Sequence, residues 1–197
     1  MAKGNSVEAY FDQLAPSWDS FGEKHPGEVD SLLRQIGIKK GKLVADVACG
    51  TGVITAKLHD YSEAPIVGID LSAKMIALAQ KKYANCPWAH FVREDFLLAP
   101  EKSAFDVVVI YNAYPHFLEP RKLSEALNRA LKSGGRFAII HSLSRDELHR
   151  HHEGLGAELS RDLLPIHEEA KFFEGDFRIL KAEEGPHSFL ILGAKKD

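Results

Sequence analysis

An α/β fold, a mostly parallel sheet covered by helices, is what this sequence predicts, on three observations. Short apolar runs rich in β-branched residues recur along the chain and alternate with stretches of helical spacing. One of them, FDVVVI, is apolar almost throughout, as a strand buried on both faces must be. Near the C-terminus two β-like runs follow one another with only a turn between them, which marks an antiparallel pair at a sheet edge.

The strands expected from the first observation are Leu43 to Ala48, Pro65 to Ile69, Trp88 to Val92, Phe105 to Ile110 and Arg136 to Ile140. Helical spacing covers Val53 to His59, Ser72 to Tyr83 and Arg121 to Lys132, with Ser72 placed to cap the second helix. Ser133-Gly134-Gly135 is expected to end the third helix and turn into the next strand, so that five β/α units fill residues 43 to 140. The antiparallel pair is Phe177 to Ala182 with Ser188 to Ala194, joined by EEGPH. Residues 1–40 and 141–170 read as helical or irregular, and no internal repeat is present.

A chain of 197 residues suits one domain, and 45% hydrophobic with 27% charged residues is enough apolar material for a packed core. A net charge of -3 with scattered basic residues excludes the dense positive surface that neutralises many phosphates, so nucleic acid is not an expected partner. Cys49 and Cys86 form no C-x-x-C pair, which fits a reducing cytoplasm. No stretch has the length and apolarity of a signal peptide or membrane span, so a cytoplasmic location without membrane insertion is expected.

LVADVACGTGVIT sets a hydrophobic strand before Gly50 and Gly52 and the start of a helix after them, a layout that brings backbone close to a nucleotide-like ligand. Alone, it can also be a tight structural turn. The next strand ends in Asp70, about 20 residues on, where a carboxylate can accept bonds from ribose hydroxyls or merely cap the following helix. Asp95 and Phe96 close the strand after that, in HFVREDF, and can flank an adenine or serve as loop and core residues. Taken in order, the three strand ends point to an adenosine. Thr55 stands where a dinucleotide fingerprint has its third glycine, and the Asp46 carboxylate repels a pyrophosphate but attracts an amine. S-adenosyl-L-methionine, with an ammonium, a sulfonium and no phosphate, meets these constraints.

DVACGTG, VGIDLSAKMIALAQ, REDF and FDVVVIYNAYPHF resemble the successive motifs of class I S-adenosylmethionine-dependent methyltransferases over roughly residues 7 to 195. The likeness is greatest to the small-molecule branch that includes quinone-biosynthesis enzymes, which often begin with a segment like YFDQLAPSWD. It implies a doubly wound, Rossmann-like sheet of seven strands, mostly parallel with a reversed last strand, in one domain spanning 1–197. Residues 1–40 become a helical cap and 141–170 a helical insertion over the active site. It also implies that Asp46 and the backbone of Ala48, Cys49, Gly50, Thr51 and Gly52 hold the methionine part. Asp70 with Leu71 takes the ribose, Asp95 with Phe96 the adenine, and Asn112 also lies near the donor methyl. Cys49 departs from the glycine of many members.

Methyl transfer from a sulfonium is an in-line displacement, which needs alignment and, for some acceptors, a base. In YNAYPHF, His116 is the expected base, unless it is only hydrogen-bonded within its loop; Tyr114 is an expected acceptor contact. HSLSRDELHRHHEG adds His141, His149 and His152, with Ser144 placed to cap a short helix. His149 and His152, spaced i, i+3, can touch the acceptor; for a metal they lack a well-spaced third ligand, and none is expected. Tyr10, Trp18 and His25 belong to the N-terminal segment that would cover the strand ends as a lid. The expected activity is methylation of a small-molecule acceptor, the alternative being a module that binds the cofactor without turnover.

Overall fold

The computed structural model describes residues 6–22, 25–98 and 102–196. Its sheet has seven strands: β1 Val44–Val47, β2 Ile66–Asp70, β3 Ala89–Arg93, β4 Phe105–Tyr111, β5 Leu131–His141, β6 Phe177–Gly185 and β7 Ser188–Lys195. The spatial order is β3-β2-β1-β4-β5-β7-β6. The first five strands run parallel, and β7 pairs antiparallel with both β5 and β6. The expected C-terminal pair is present, with β7 as its inner member and β6 at the edge.

Helices α1 Ser6–Leu14 and α2 Pro26–Ile36, with a 3-10 segment Ala15–Phe21 between them, precede the sheet. Then come α3 Thr55–Ser62, α4 Ala73–Lys82, α5 Pro120–Ala130, α6 Arg145–His152 and α7 Ile166–Ala170. Ser72 caps α4 by accepting from the Met75 N–H at 3.1 Å, and Ser144 caps α6 in a reciprocal box with Glu147. Strand β4 shows why its run is apolar throughout. Val107 and Val109 pack on one face with Leu33 and Ile36 of α2 and Leu58 of α3; Val108 and Ile110 pack on the other with Leu123 and Leu127 of α5.

Two expectations are corrected. Five strands lie in residues 43 to 140, but not five β/α units: among the described residues no helix lies between β3 and β4. Secondly, Ser133-Gly134-Gly135 does not follow a helix end. Helix α5 stops at Ala130, and Leu131 already pairs with Phe105; the register then shifts before Val107 pairs with Arg136. The glycines form that irregularity, because Gly134 has φ +68° and a Cβ on Gly135 would meet the Lys132 carbonyl oxygen at 2.9 Å.

With β1, β2, β4 and β5 parallel, their carboxyl ends open on one side, and Ala48, Leu71, Asn112 and Ser142 follow them there. No helix among the described residues is long and apolar enough to cross a membrane.

Candidate active site

The turn after β1 is built from left-handed backbone: Ala48 has φ 55°, Gly50 55° and Gly52 79°. At Gly52 glycine is required twice over, since an added Cβ would lie 2.8 Å from the Tyr83 ring while the Tyr83 hydroxyl donates to the Gly52 carbonyl at 2.7 Å. Cys49 is not among the residues with positive φ, so the backbone does not ask for glycine there. Room for its side chain comes from the neighbouring strand, where a Cβ on Gly68 would stand 3.1 Å from the Cys49 sulfur.

Beneath the turn, the Asp46 side chain lies in a residue only 1% exposed, and its Oδ2 accepts from the Thr55 hydroxyl at 2.6 Å. Burial lifts this carboxyl from 3.8 to about 7; the Thr55 bond opposes the rise and the Asp70 charge adds to it. Among the described residues no ion pair includes Asp46, so none of them supplies its charge with a counter-ion.

Asp70 receives the Gly50 N–H on Oδ2 and the Ser72 N–H on Oδ1, both at 2.8 Å. Burial raises its pKa while those bonds pull the other way. Leu71 is half-buried, and its carbonyl accepts from the Arg93 guanidinium at 3.3 Å. Asp95 is half-buried and accepts from the Leu97 N–H at 3.0 Å; Phe96, 4% exposed, packs in the core with Val47 and Ile69. Asn112 is exposed at φ 51°, a conformation asparagine tolerates, and ties β4 to β5 by accepting the Ser142 N–H at 3.0 Å.

The N-terminal segment lies across these strand ends. The Trp18 indole nitrogen stands 3.3 Å from where a Gly50 Cβ would be, and Asp19 accepts from the Thr51 hydroxyl and from Lys82 at 3.1 Å. Asp12 takes the Ser72 hydroxyl and, at 3.1 Å, the Lys74 N–H, while Glu8 pairs with Arg93. Phe11 sits edge-on to Tyr10, Trp18 and His116, at centroid distances of 5.3, 5.6 and 4.9 Å. Sequence reasoning named Tyr10 and Trp18 but passed over Phe11, Asp12 and Asp19. The spacing of acids and aromatics in YFDQLAPSWD was the available signal.

His116 is in the short 3-10 turn after β4. Its Nδ1 is 2.8 Å from the Leu159 carbonyl, an acceptor, so that nitrogen carries the proton and Nε2 holds the free lone pair. Burial lowers its pKa below the ordinary 6.5. His152 meets it edge-on at 4.9 Å, held by Ser160, and burial with the neighbouring imidazoles lowers His152 to about 4. His141, at the end of β5, is fully buried and driven down to about 3, and among the described residues neither of its ring nitrogens has a hydrogen-bond partner.

Tyr114, an expected acceptor contact, lies beneath this surface. It is fully buried, its hydroxyl donates to Glu169 at 2.6 Å, and Arg161 holds the same carboxylate at 2.7 and 2.8 Å. A phenol fixed from both sides in this way is a core residue. His149 is exposed on α6 and pairs with Asp162 at 2.8 Å, so it and His152 engage different partners.

Residues 45–139 match the profile of a methyltransferase domain family. The chain is similar to the demethylmenaquinone methyltransferase of Chlorobaculum parvum, at 29% identity over 145 residues, covering 69% of this chain and 59% of the relative. The corresponding enzyme of Clavibacter sepedonicus is 31% identical over 144 residues, covering 70% and 58%. The chain thus spans less than two thirds of the length of these curated relatives. Among solved structures, the methyltransferase in the complex with the Haloferax volcanii Trm112 activator shares the fold, with a TM-score of 0.81 at 18% identity over 95% of this chain and 98% of that one.

Proposed function

Because the chain belongs to the class I S-adenosylmethionine-dependent methyltransferases, we propose that it transfers a methyl group to a small-molecule acceptor at the carboxyl ends of β1, β2, β4 and β5. Buried Asp46 carries this reading. A carboxylate kept out of water without a cation is costly, and a ligand ammonium removes that cost. The residues therefore fit the family cofactor, S-adenosylmethionine, which when bound supplies an electrophilic methyl on a sulfonium.

Asp46 would hold the ammonium and Asp70 the ribose hydroxyls, and the left-handed turn from Ala48 to Gly52 lets backbone approach the methionine part. Trp18 lies against Gly50, and Asp19 on Thr51, so the segment carrying them has to move aside for the cofactor and can then close over it. His116 takes the acceptor proton on Nε2: its lowered pKa keeps it neutral at pH 7, and Leu159 fixes the tautomer. Fully buried His141 has no partner for its ring nitrogens among the described residues, and an imidazole so placed forfeits roughly 1–3 kcal/mol until a polar ligand atom reaches it. The small acceptor is supported by the named activity of the curated relatives and by a roof formed from residues 8–19 and α6.

Calorimetry with S-adenosylhomocysteine tests the cofactor. Binding lost on Asp46→Asn is expected, and wild-type protein that does not bind at millimolar concentration overturns the proposal. Turnover is screened with phenols, quinols, thiols and amines. His116→Asn is expected to lower kcat while cofactor affinity stays unchanged; cofactor binding without product for any acceptor favours the non-catalytic module.

A further inference from the structure

A second constellation lies outside the site just described. His25, between the 3-10 segment and α2, Glu147 on α6 and His187 in the turn between β6 and β7 come together from three distant parts of the chain. Glu147 Oε1 is 3.3 Å from His25 Nε2 and 3.1 Å from His187 Nδ1. The three ligand-capable atoms all lie within 4.8 Å of one another.

We propose that His25, Glu147 and His187 form a binding site for a divalent transition-metal ion of the zinc class. The donor set suits it, because two neutral imidazoles and one carboxylate are the ligands zinc takes when no thiolate is available, leaving a fourth position for water. The spacing suits it as well. Ligand atoms at bond lengths of ~2.0–2.2 Å around a tetrahedral ion are separated by ~3.3–3.5 Å. The two measured separations already lie close to that, so the ion enters with small movements of the side chains.

The carboxylate is pre-oriented. Glu147 Oε2 accepts from the Ser144 N–H at 2.8 Å and from its hydroxyl at 3.1 Å, completing the cap of α6 and leaving Oε1 turned to the imidazoles. The rings of His25 and His187 stack at 4.0 Å with 20° between their planes; on binding, each nitrogen facing Glu147 gives up its proton, to the other ring nitrogen or to solvent, and a tilt of the more exposed His187 brings both onto one ion. The bound ion would fasten the segment leading to α2, the start of α6 and the β6–β7 turn to one another. This inference does not rest on the methyltransferase reading, although Glu147 lies on α6, which that reading makes part of the roof.

The test uses tag-free, full-length protein freed of metal with a chelator, titrated with Zn²⁺ against a chromogenic competitor and with Co²⁺ by visible absorption. Expected are one equivalent bound in the micromolar range, four- or five-coordinate Co²⁺ bands, and a rise in Tm with Zn²⁺. His187→Ala, in an exposed turn, is expected to weaken binding at least ~10-fold and abolish the Tm rise, with His25→Gln behaving alike. His149→Ala is expected to leave Zn²⁺ affinity and the Zn²⁺-dependent rise in Tm unchanged. Binding weaker than about 0.1 mM, or equal binding by the wild type and His187→Ala, overturns the proposal, as does loss confined to His149→Ala.

Discussion

Replacing Asp46 by Asn should stabilise the protein while removing cofactor binding, and the stabilisation should grow with pH. Burial lifts the Asp46 carboxyl from 3.8 to about 7 in the folded chain. Between those values the folded state holds a proton that the unfolded state has released, so wild-type stability declines as pH rises through that window and levels off above it. The gap corresponds to a cost on the order of 4 kcal/mol at pH 8 and well under half of that at pH 5. Asn is nearly isosteric and its carbonyl oxygen can still accept the Thr55 hydroxyl bond, so the change removes charge with little change of shape. Urea denaturation of both proteins at pH 5 and pH 8 gives the difference directly, and calorimetry with S-adenosylhomocysteine gives affinity. A gain that is the same at both pH values, or a loss of stability at pH 8, would refute the reasoning. Wild-type affinity should also fall as pH drops below 7, since the protonated carboxyl has no charge for the ammonium.

Cofactor binding should change the emission of Trp18, which stands against Gly50; titration with S-adenosylhomocysteine should show a signal in the wild type that disappears in Trp18→Phe, where Trp88 is the remaining indole. Gly52→Ala combines a left-handed φ of 79° with a Cβ 2.8 Å from the Tyr83 ring, and should cost about 2–4 kcal/mol in urea denaturation. Tyr114→Phe loses one buried bond to Glu169 and should cost about 1–2 kcal/mol, leaving kcat unchanged once an acceptor is known; a fall in kcat without loss of stability would return Tyr114 to the active site. Glu169→Ala strands the Arg161 guanidinium and should cost roughly 3–5 kcal/mol by the same assay.

The sheet was legible because its signals are local. β-branched runs mark strands, Ser72 and Ser144 mark helix starts, and the nearly unbroken apolar run FDVVVI reflects two buried faces. The glycine turn and the acids that follow it could be read for the same reason: each sits at a strand end, and strand ends are visible in sequence. What could not be read is set by pairings between distant segments. Tyr114 follows β4 as a site residue would, yet Glu169 and Arg161, far along the chain, hold it in the core. The spacing of Asp12 and Asp19 among aromatics hinted at a role, but their partners, Ser72 and Thr51, are set only when the N-terminal segment folds onto them. The cluster of His25, Glu147 and His187 is likewise invisible before folding, because its members come from three unrelated segments. The misplaced end of α5 was a competition between a glycine pair read as a helix stop and its use as an irregularity inside β5.

The position of β7 governs how the sheet is completed. Strand β5, eleven residues long, has β4 on one side and waits on the other for residues 188–195, made after every other strand. Until they leave the ribosome, the hydrogen-bonding groups of Arg136 to His141 along that side are an open template for another chain. Strand β6 is made earlier but has no place in the sheet until β7 arrives, since β7 is its neighbour. A nascent chain stalled before Ser188 therefore leaves that side of β5 without its partner, and chaperone capture should be strongest in that interval.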